Sequence, residues 1–384
     1  MADLPDNVYL DILVTNFQST TAKPEPFSYT DNRSIAFLDS PSQYELSILR
    51  FQVDSANAPT FIPSIEPNQP DPTLTIYSIT MEYPVNGQVV VHQEFLKFNP
   101  QDKSATIPAA PSKTWNKQAD FSTGYYSIYN YEFFLFNVNT CMTNCFNNLK
   151  VKVLAINPMA FFPPNRPFIT WDTTQNVAVI TAESLYFDES PLNLTPIVRI
   201  YMNPAMFNLF SSFPMVFFGF EGVTFGRNFL LGLVNIGTLN QVTITVPYSN
   251  PIISYNAIQS FQEYSTISAW SPIQAIVFTS NTLQVQPTNV SPTVVINNNS
   301  TSTPTNNSAT ANIITDLVST SGQYAPSILY TPTAQYRMIS LSGTSPLTNL
   351  DIQIYYRLRD GSLIPFVLSS GGSVSLKLGF FLKK

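Results

Sequence analysis

The sequence predicts an all-β chain built as two sandwiches, and three observations carry that prediction. Apolar and polar residues alternate in short runs from one end to the other. Loops rich in Pro, Asn and Ser separate these runs at the spacing of sandwiches and barrels. Charge is scarce: 18 Lys+Arg and 24 Asp+Glu make 11% of 384 residues, against 13% aromatics. Helical bundles need Glu, Lys and Ala on their exposed faces, and disordered chains need many charges and little hydrophobicity. Both classes fall away.

Val8, Leu10, Ile12 and Val14 alternate with Tyr9, Asp11 and Thr15, so the chain opens on a strand. Further strands are expected near 34–38, 44–53, 73–83 and 87–97. Tyr129, Tyr131, Phe133 and Leu135 alternate with Asn130 and Glu132, and 147–155 has the same texture; both read as strands. The segments 167–172, 176–187, 196–202, 214–220 and 229–236 follow suit. Between them one helix is expected, capped by Asn203, with Pro204 in its first turn and Pro214 stopping it. Val242, Ile244 and Val246 alternate with Thr243 and Thr245, a second short helix is expected near 254–262, and 273–279 and 334–341 are strands. Ile352, Ile354, Tyr356 and Leu358 share a face, Arg359-Asp360-Gly361 makes a hairpin turn, and 362–368 returns. After Gly371-Gly372, Val374, Leu376, Leu378, Phe380 and Leu382 form a long final strand.

Three long connections, 56–73 with its five prolines, 99–123 and the Ser/Thr/Asn-rich 286–312, read as exposed loops. No internal repeat is visible. The strands divide into two similar sets near 188–195, giving 1–190 and 191–384 as the expected domains. The polar start, Met1 to Asn7, has no basic and apolar pattern of a signal peptide. The most apolar stretch, 207–220, is broken by Asn208, Ser211, Ser212 and Pro214, so no transmembrane segment is expected.

The chemistry-bearing residues are few. His92 is the single histidine and sits in a strand-like run with no nucleophile motif, which makes it an ordinary strand residue. Cys141 and Cys145 are spaced C-x3-C without a second pair or a His cluster; two reduced thiols fit better than a local disulfide or zinc site. Asp188-Glu189 and Asp360 are the visible candidates for a glycosidase carboxylate pair, and solvated turn acids explain them better. Lys377, Lys383 and Lys384 with Arg337, Arg357 and Arg359 gather near the C-terminus. They read as a solvated edge that discourages strand pairing rather than a nucleic-acid contact. Net charge of −6 and a pI near 4.8 oppose specific nucleic-acid binding. The sequons at Asn32, Asn193, Asn289, Asn298, Asn299 and Asn306 follow from abundant Asn, Ser and Thr and are expected to be unused. No catalytic, cofactor or metal site is expected. The paired aromatics, Tyr125-Tyr126, Phe133-Phe134, Phe161-Phe162, Phe217-Phe218 and Phe380-Phe381, would point to both faces of a strand and call for cover by a second layer or by neighbouring subunits.

With these features the segments RIYMNPAMFNLFSSFP (199–214), SAWSPIQAIVFTSNTL (268–283) and DIQIYYRLRDGSLIPFVLSSGGSVSLKLGFF (351–381) resemble jelly-roll capsid proteins of icosahedral DNA viruses, in the adenovirus-like, polinton-like and virophage-like groups. The likeness runs over the whole chain. It departs from many single-roll capsid proteins in lacking a basic N-terminal arm, so direct genome packaging is not implied. The resemblance implies a virion protein with two jelly rolls. It implies a major capsid protein forming homotrimers, with shell neighbours and other capsid proteins as partners and an internal membrane as a further contact. The alternatives are a single jelly roll with large insertions, of penton type, and a carbohydrate-binding adhesin or receptor-binding spike using Trp115, Trp171 and Trp270.

Overall fold

The computed structural model describes residues 5–16, 25–54, 59–66, 70–108, 123–219, 226–246, 253–270, 273–285, 288–290, 309–318, 327–330, 338–359, 361, 363–368 and 370–383. Along the chain come β1 (Asn7–Thr15), β2 (Ser28–Asn32), β3 (Tyr44–Asp54), β4 (Leu74–Val85) and β5 (Gln88–Lys97). A long helix, α1 (Tyr131–Ile156), precedes β6 (Phe168–Asp172), β7 (Val177–Glu183) and β8 (Arg199–Met202). Then follow α2 (Pro204–Leu209), β9 (Met215–Phe217), β10 (Phe229–Leu231), β11 (Gln241–Val246) and β12 (Ile253–Phe261). The last set is β13 (Ile273–Thr279), β14 (Ile313–Leu317), β15 (Ser327–Tyr330), β16 (Asn349–Leu358), β17 (Leu363–Pro365) and β18 (Ser373–Leu382).

Two compact units result, and they interleave along the chain. The first is 1–59, 102–129 and 271–384; the second is 60–101 and 130–270. A cut between 190 and 191 falls inside the second unit. Alternation reports local faces, and nothing in it marks where a chain leaves one core and returns to it.

The first unit has two sheets. One runs β1–β18–β3–β15 and the other β14–β13–β16, with β2 and β17 both pairing β16. All these pairs are antiparallel. Numbering the eight long-range strands 1 to 8 in chain order, with β17 left out, the sheets read 1-8-3-6 and 2-7-4-5. That interleaving is jelly-roll-like. Between the sheets Phe51 of β3 meets Phe278 of β13 edge-on at 5.1 Å and Phe366 at 6.4 Å. Alternation in β18 holds as read: Val374, Leu376, Leu378 and Phe380 are completely buried, each worth about 1.5–3 kcal/mol. The β16–β17 hairpin turns at Gly361 (φ 86°), whose N–H donates to Leu358 O at 3.0 Å; Asp360 lies outside the described residues.

The second unit has sheets β9–β10–β8–β4–β5 and β11–β12–β7–β6, with α1 packed on β4, β5 and β6. Asn86 (φ 49°) and Gly87 (φ 74°) form the tight β4–β5 turn that twisted hairpins favour. The helix corrects two expected strands. Over its 26 residues the buried positions Phe134, Val138, Cys141, Cys145, Leu149 and Val153 recur every three or four residues, and Asn130 Oδ1 accepts from Phe133 N at 2.9 Å as its cap. Short windows at either end mimic period two; the whole span does not. The short helix expected near 254–262 is instead the strand β12, because β7 and β11 pair both of its edges. Around 34–38 there is no strand, only a bridge from Leu38 to Leu347. The strand expected over 176–187 stops at Glu183, where a single helical turn, Ser184–Phe187, begins. The helix at 204–209 is present, with Asn203 Oδ1 accepting from Met206 N. Of the 334–341 strand, 334–337 lie outside the described residues and Ile339–Ser340 pair β3.

Candidate assembly site

Asp188 organises the most exposed apolar feature of the second unit. It follows the helical turn Ser184–Phe187 and is itself buried. Its Oδ1 accepts from Ser190 N (2.9 Å) and from Asn235 N (3.0 Å), and its Oδ2 from the Ser190 hydroxyl (3.0 Å). One carboxylate thereby joins two loops. Asn193 Nδ2 donates to Asp188 O (3.0 Å) and Leu185 O (3.3 Å), Glu189 N donates to Leu233 O (2.8 Å), and Asn240 Nδ2 donates to Val234 O (2.8 Å). The bonds to the Asp188 carboxylate are part-buried, and those from Asn193 to Leu185 and from Asn240 to Val234 lie at the surface. The aliphatic side chains on the same loops are turned out: Leu192 and Leu194 are 91% and 94% exposed, and Leu185, Val234, Ile236 and Leu239 are exposed as well. Six large aliphatic residues on hydrogen-bonded loops thus stand in water as an apolar crown; in proteins generally, large contiguous apolar patches mark interaction surfaces.

Glu189 links these loops to a charged network. Glu82 accepts from Tyr201 Oη at 2.7 Å and from Arg227 Nη1 at 2.8 Å, and Arg199 Nη1 stands 3.5 Å away. Arg199 Nε is 3.4 Å from Glu189 Oε1, an ion pair without hydrogen-bond geometry. Burial, partly offset by Arg199, pushes the Glu189 carboxyl above its ordinary range. Burial and the neighbouring Glu82 push the Tyr201 phenol far up. Asp188 and Glu189 are thus committed to loop and sheet structure and do not face one another across a cleft as hydrolase carboxylates do.

The other expected residues are also accounted for. His92, on β5, has Nε2 3.2 Å from Glu94 Oε2. Cys141 and Cys145 are free buried thiols on α1; Cys141 Sγ donates to Glu94 O (3.4 Å) and Cys145 Sγ to His92 O (3.3 Å). Burial pushes the Cys145 thiol up to about 12 and Cys141 well above its ordinary value. Trp270 is buried with Nε1 donating to Leu209 O (2.7 Å), which removes it from sugar stacking; the half-buried Trp171 and Tyr131 pack against it at 5.1 and 5.6 Å. Trp115 lies outside the described residues. Lys377 is not on an edge: β18 is paired on both sides, and Lys377 lies 3.7 Å from Asp11. Lys383 Nζ donates to Ser42 O (2.6 Å) and Leu341 O (3.2 Å), and Arg357 pairs with Asp316 at 2.9 Å. Arg359 is described and has partners of its own; Arg337 and Lys384 lie outside the described residues. Of the sequons, Asn32 and Asn193 lie in described segments, Asn289 falls in a short described strand, and Asn298, Asn299 and Asn306 lie outside the described residues.

The aromatic pairs behave differently from strand pairs. Tyr125 and Tyr126 are both buried, while Phe217 and Phe218 are both exposed at the β9 edge. Among the described residues no three His, Cys, Asp or Glu side chains gather as a metal site, and no helix is long and apolar enough to cross a membrane. Sequence reasoning missed the crown because its signal, Leu-Asn-Leu at 192–194 with Asn235 and Asn240, is polar-loop chemistry carrying apolar side chains.

Comparison with known proteins gives the context. The family model described as Sputnik minor capsid protein V18/19 matches residues 8–382. A relative named uncharacterized protein V18, of Sputnik virophage, is 35% identical over 159 residues, 41% of this chain and 92% of its own length. Structural protein V19 of the same virophage is 26% identical over 219 residues, 55% of this chain and 91% of its own length. A chain from the 3.5 Å cryo-EM structure of the Sputnik virophage superposes with a TM-score of 0.77 at 27% identity, covering 99% of both chains. The crystal structure of the mavirus penton protein matches with a TM-score of 0.58 at 15% identity over 98% of this chain and 99% of that one, a likeness of fold. The family's minor role overturns the expectation of a major capsid protein built as trimers. What remains of that expectation is its coarser part, a structural virion protein of the capsid with a multi-sheet, jelly-roll-like fold. The chain belongs to the Sputnik minor capsid protein V18/19 family.

Proposed function

We propose that this chain is a penton-type capsid protein with a single jelly roll. In this reading the first unit is the roll and the second is an insertion between its third and fourth strands. The observation that carries the reading is strand order. The first unit interleaves as 1-8-3-6 and 2-7-4-5, whereas the nine strands of the second, numbered in the same way, run 6-7-5-1-2 and 8-9-4-3, dominated by hairpin neighbours. Two rolls would repeat the interleaved order. The fold likeness to the mavirus penton protein supports the same reading. A vertex protein closes by identical head-to-tail contacts into a ring, and the low density of charge on this chain lets copies meet with little repulsion. The insertion presents the Leu192–Leu194 crown to another protein. Acidic neighbours Asp188 and Glu189, with Arg199 already paired, disfavour an anionic lipid surface.

Mass photometry and negative-stain imaging of the purified full chain test the proposal. Five copies of 42.8 kDa give a particle of about 214 kDa; a stable trimer, or a monomer at micromolar concentration, would sink the reading. The double variant Leu192→Ser/Leu194→Ser is expected to keep the ring and the melting temperature but to lose incorporation into virions. Wild-type incorporation would show that the crown is not a contact.

A further inference from the structure

Among the described residues, the outer edge of β1 is left unpaired, whereas two edges near a helix are not. In the second unit, α1 covers two sheet edges. Asn139 donates from Nδ2 to Ile169 O (2.7 Å) and accepts at Oδ1 from Ile169 N (2.8 Å) on β6, and Lys152 Nζ donates to Val91 O (3.1 Å) on β5. Along β1 nothing comparable exists among the described residues. The strand is in unbroken register with β18 from Asn7 to Thr15, without bulge or proline. Its inward row, Val8, Leu10, Ile12 and Val14, carries no charge to deter pairing. Three of these four, Val8, Leu10 and Val14, are only half-buried, although the same row on β18 is fully buried. Among the described residues the hydrophobic layer stops one strand short.

The outward row supplies the polarity of what would complete it. Asp11 is shared by Arg50 (3.1 Å) and Lys377 (3.7 Å), and Lys377 also sits over the Tyr9 ring at 5.3 Å. Arg50 Nη2 also takes Ser375 Oγ as acceptor at 3.2 Å. Two cations therefore serve one carboxylate; Glu45, at the far end on β3, is bonded by Ser340. An incoming strand that places an acid opposite Tyr9 balances the charge. We propose that the β1 edge docks an extended segment of a neighbouring, different capsid chain, with alternate apolar residues inward and one Asp or Glu facing Lys377. The choice of a different chain rests on the penton-type reading: pairing β1 with the β1 of a second copy needs a twofold axis, and a head-to-tail ring has none. Strand addition of this kind gives affinity through main-chain bonds and specificity through alternate side chains.

The probe is a dye-tagged peptide with this chain's own Asn7–Thr15 sequence, which has the required pattern: with Leu10 opposite Leu10, its aspartate faces Tyr9. Fluorescence anisotropy on the full chain is expected to show saturable binding on the order of 10–100 µM, with slowed amide exchange over residues 7–15. A peptide with lysine replacing the aspartate is expected to bind at least about tenfold more weakly, and Lys377→Glu is expected to reverse that preference. Absence of saturable binding, or an unchanged preference in Lys377→Glu, overturns the proposal. Leu13→Lys, on the exposed row, checks that the strand survives substitution; it should keep the melting temperature and the binding. Dimerisation of the full chain through β1, seen as peptide-competable cross-linking, would overturn the choice of a different chain. Ring size is read separately: peptide binding on a ring other than a pentamer supports the edge and refutes the ring.

Discussion

Replacing Asp351 by alanine tests whether one buried carboxylate fixes a corner of the roll. Asp351 lies on β16, and the turn after β13 folds onto it. Its Oδ1 accepts from the Ser280 hydroxyl, Asn281 N, Thr282 N and the Thr282 hydroxyl, all at 2.8 Å, and Oδ2 accepts from Asn281 Nδ2 at 3.1 Å. The side-chain donors can turn to water when the carboxylate is gone, and Thr282 N keeps a second acceptor, Ser280 Oγ at 3.2 Å; Asn281 N loses its acceptor. Leaving that one N–H unsatisfied costs about 1–3 kcal/mol, so we expect a loss of about 1–3 kcal/mol. In a unit of about 200 residues, each kcal/mol lowers Tm by about 2–4 °C, so calorimetry should show a drop of about 2–12 °C for the transition containing this unit. The pH dependence gives a second reading. Burial by itself raises the Asp351 pKa, but the bonds from Ser280, Thr282 and Asn281 outweigh it and hold the carboxyl below its ordinary value. A depressed folded pKa means stability that is full above the unfolded value, about 3.9, and is lost as pH falls through the folded one. The gap in Tm between wild type and Asp351→Ala should therefore narrow below pH 4. A drop under about 2 °C at pH 7, or a gap that is constant from pH 7 to 3, would refute the reasoning.

Two further outcomes follow from the second unit. Thiolates carry the reactivity of cysteine, and burial holds both thiols protonated; native protein at pH 8 should give no rapid reaction with a disulfide reagent, and full reaction of both only in denaturant. Fast native labelling would contradict the buried placement of α1. Trp270→Ala should lower stability by about 3–5 kcal/mol, because the ring touches Phe134, Phe210 and Trp171 and leaves a cavity none of them can fill. Retained sugar binding by that variant would be uninformative about stacking, so the check is denaturant unfolding, where an unchanged midpoint would count against the packing described.

Strands with an alternating apolar row were legible. β1 and β18 have period-two rows, and β16 keeps the row Ile352, Ile354, Tyr356 and Leu358 although its other face is largely buried too; each occurs where alternation places it. The helix α1 was not, because Asn and Thr fill its exposed face where Lys and Glu usually stand, and because Leu149, Val151 and Val153 alternate locally although Val151 is exposed. Its 3.6-residue spacing needs a window of about 20 residues to emerge. At the candidate site, Asp188 was visible as a residue but not as an anchor. Its partner Asn235 is 47 residues away, and a hydrogen bond to a backbone N–H leaves no trace in the partner's side-chain type. Chain interleaving was invisible for a related reason: the pairing of β1 with β18 joins residues more than 350 positions apart.

The surplus of aromatics has a different meaning once the cores are seen. Composition alone leaves two ways to cover them, a second layer within the chain or neighbouring subunits, since a charge-poor chain with many Phe and Tyr would expose some of them on strands. Yet the large rings largely fill the chain's own interior. Phe61, Phe134, Phe210 and Trp270 form one connected group in the second unit, and Phe51, Phe278 and Phe366 bridge the sheets of the first. The side chains most fully left in water are aliphatic, Leu192 and Leu194 on hydrogen-bonded loops. Aromatic rings satisfy a wide core with few residues, each burying about 150–250 Å². Short branched side chains on a stiff loop suit a small complementary pocket and lose little rotamer freedom when they enter it. The partition fits the proposed division of labour in a capsid component: rings hold each copy together, and leucines on hydrogen-bonded loops are left to meet the next protein.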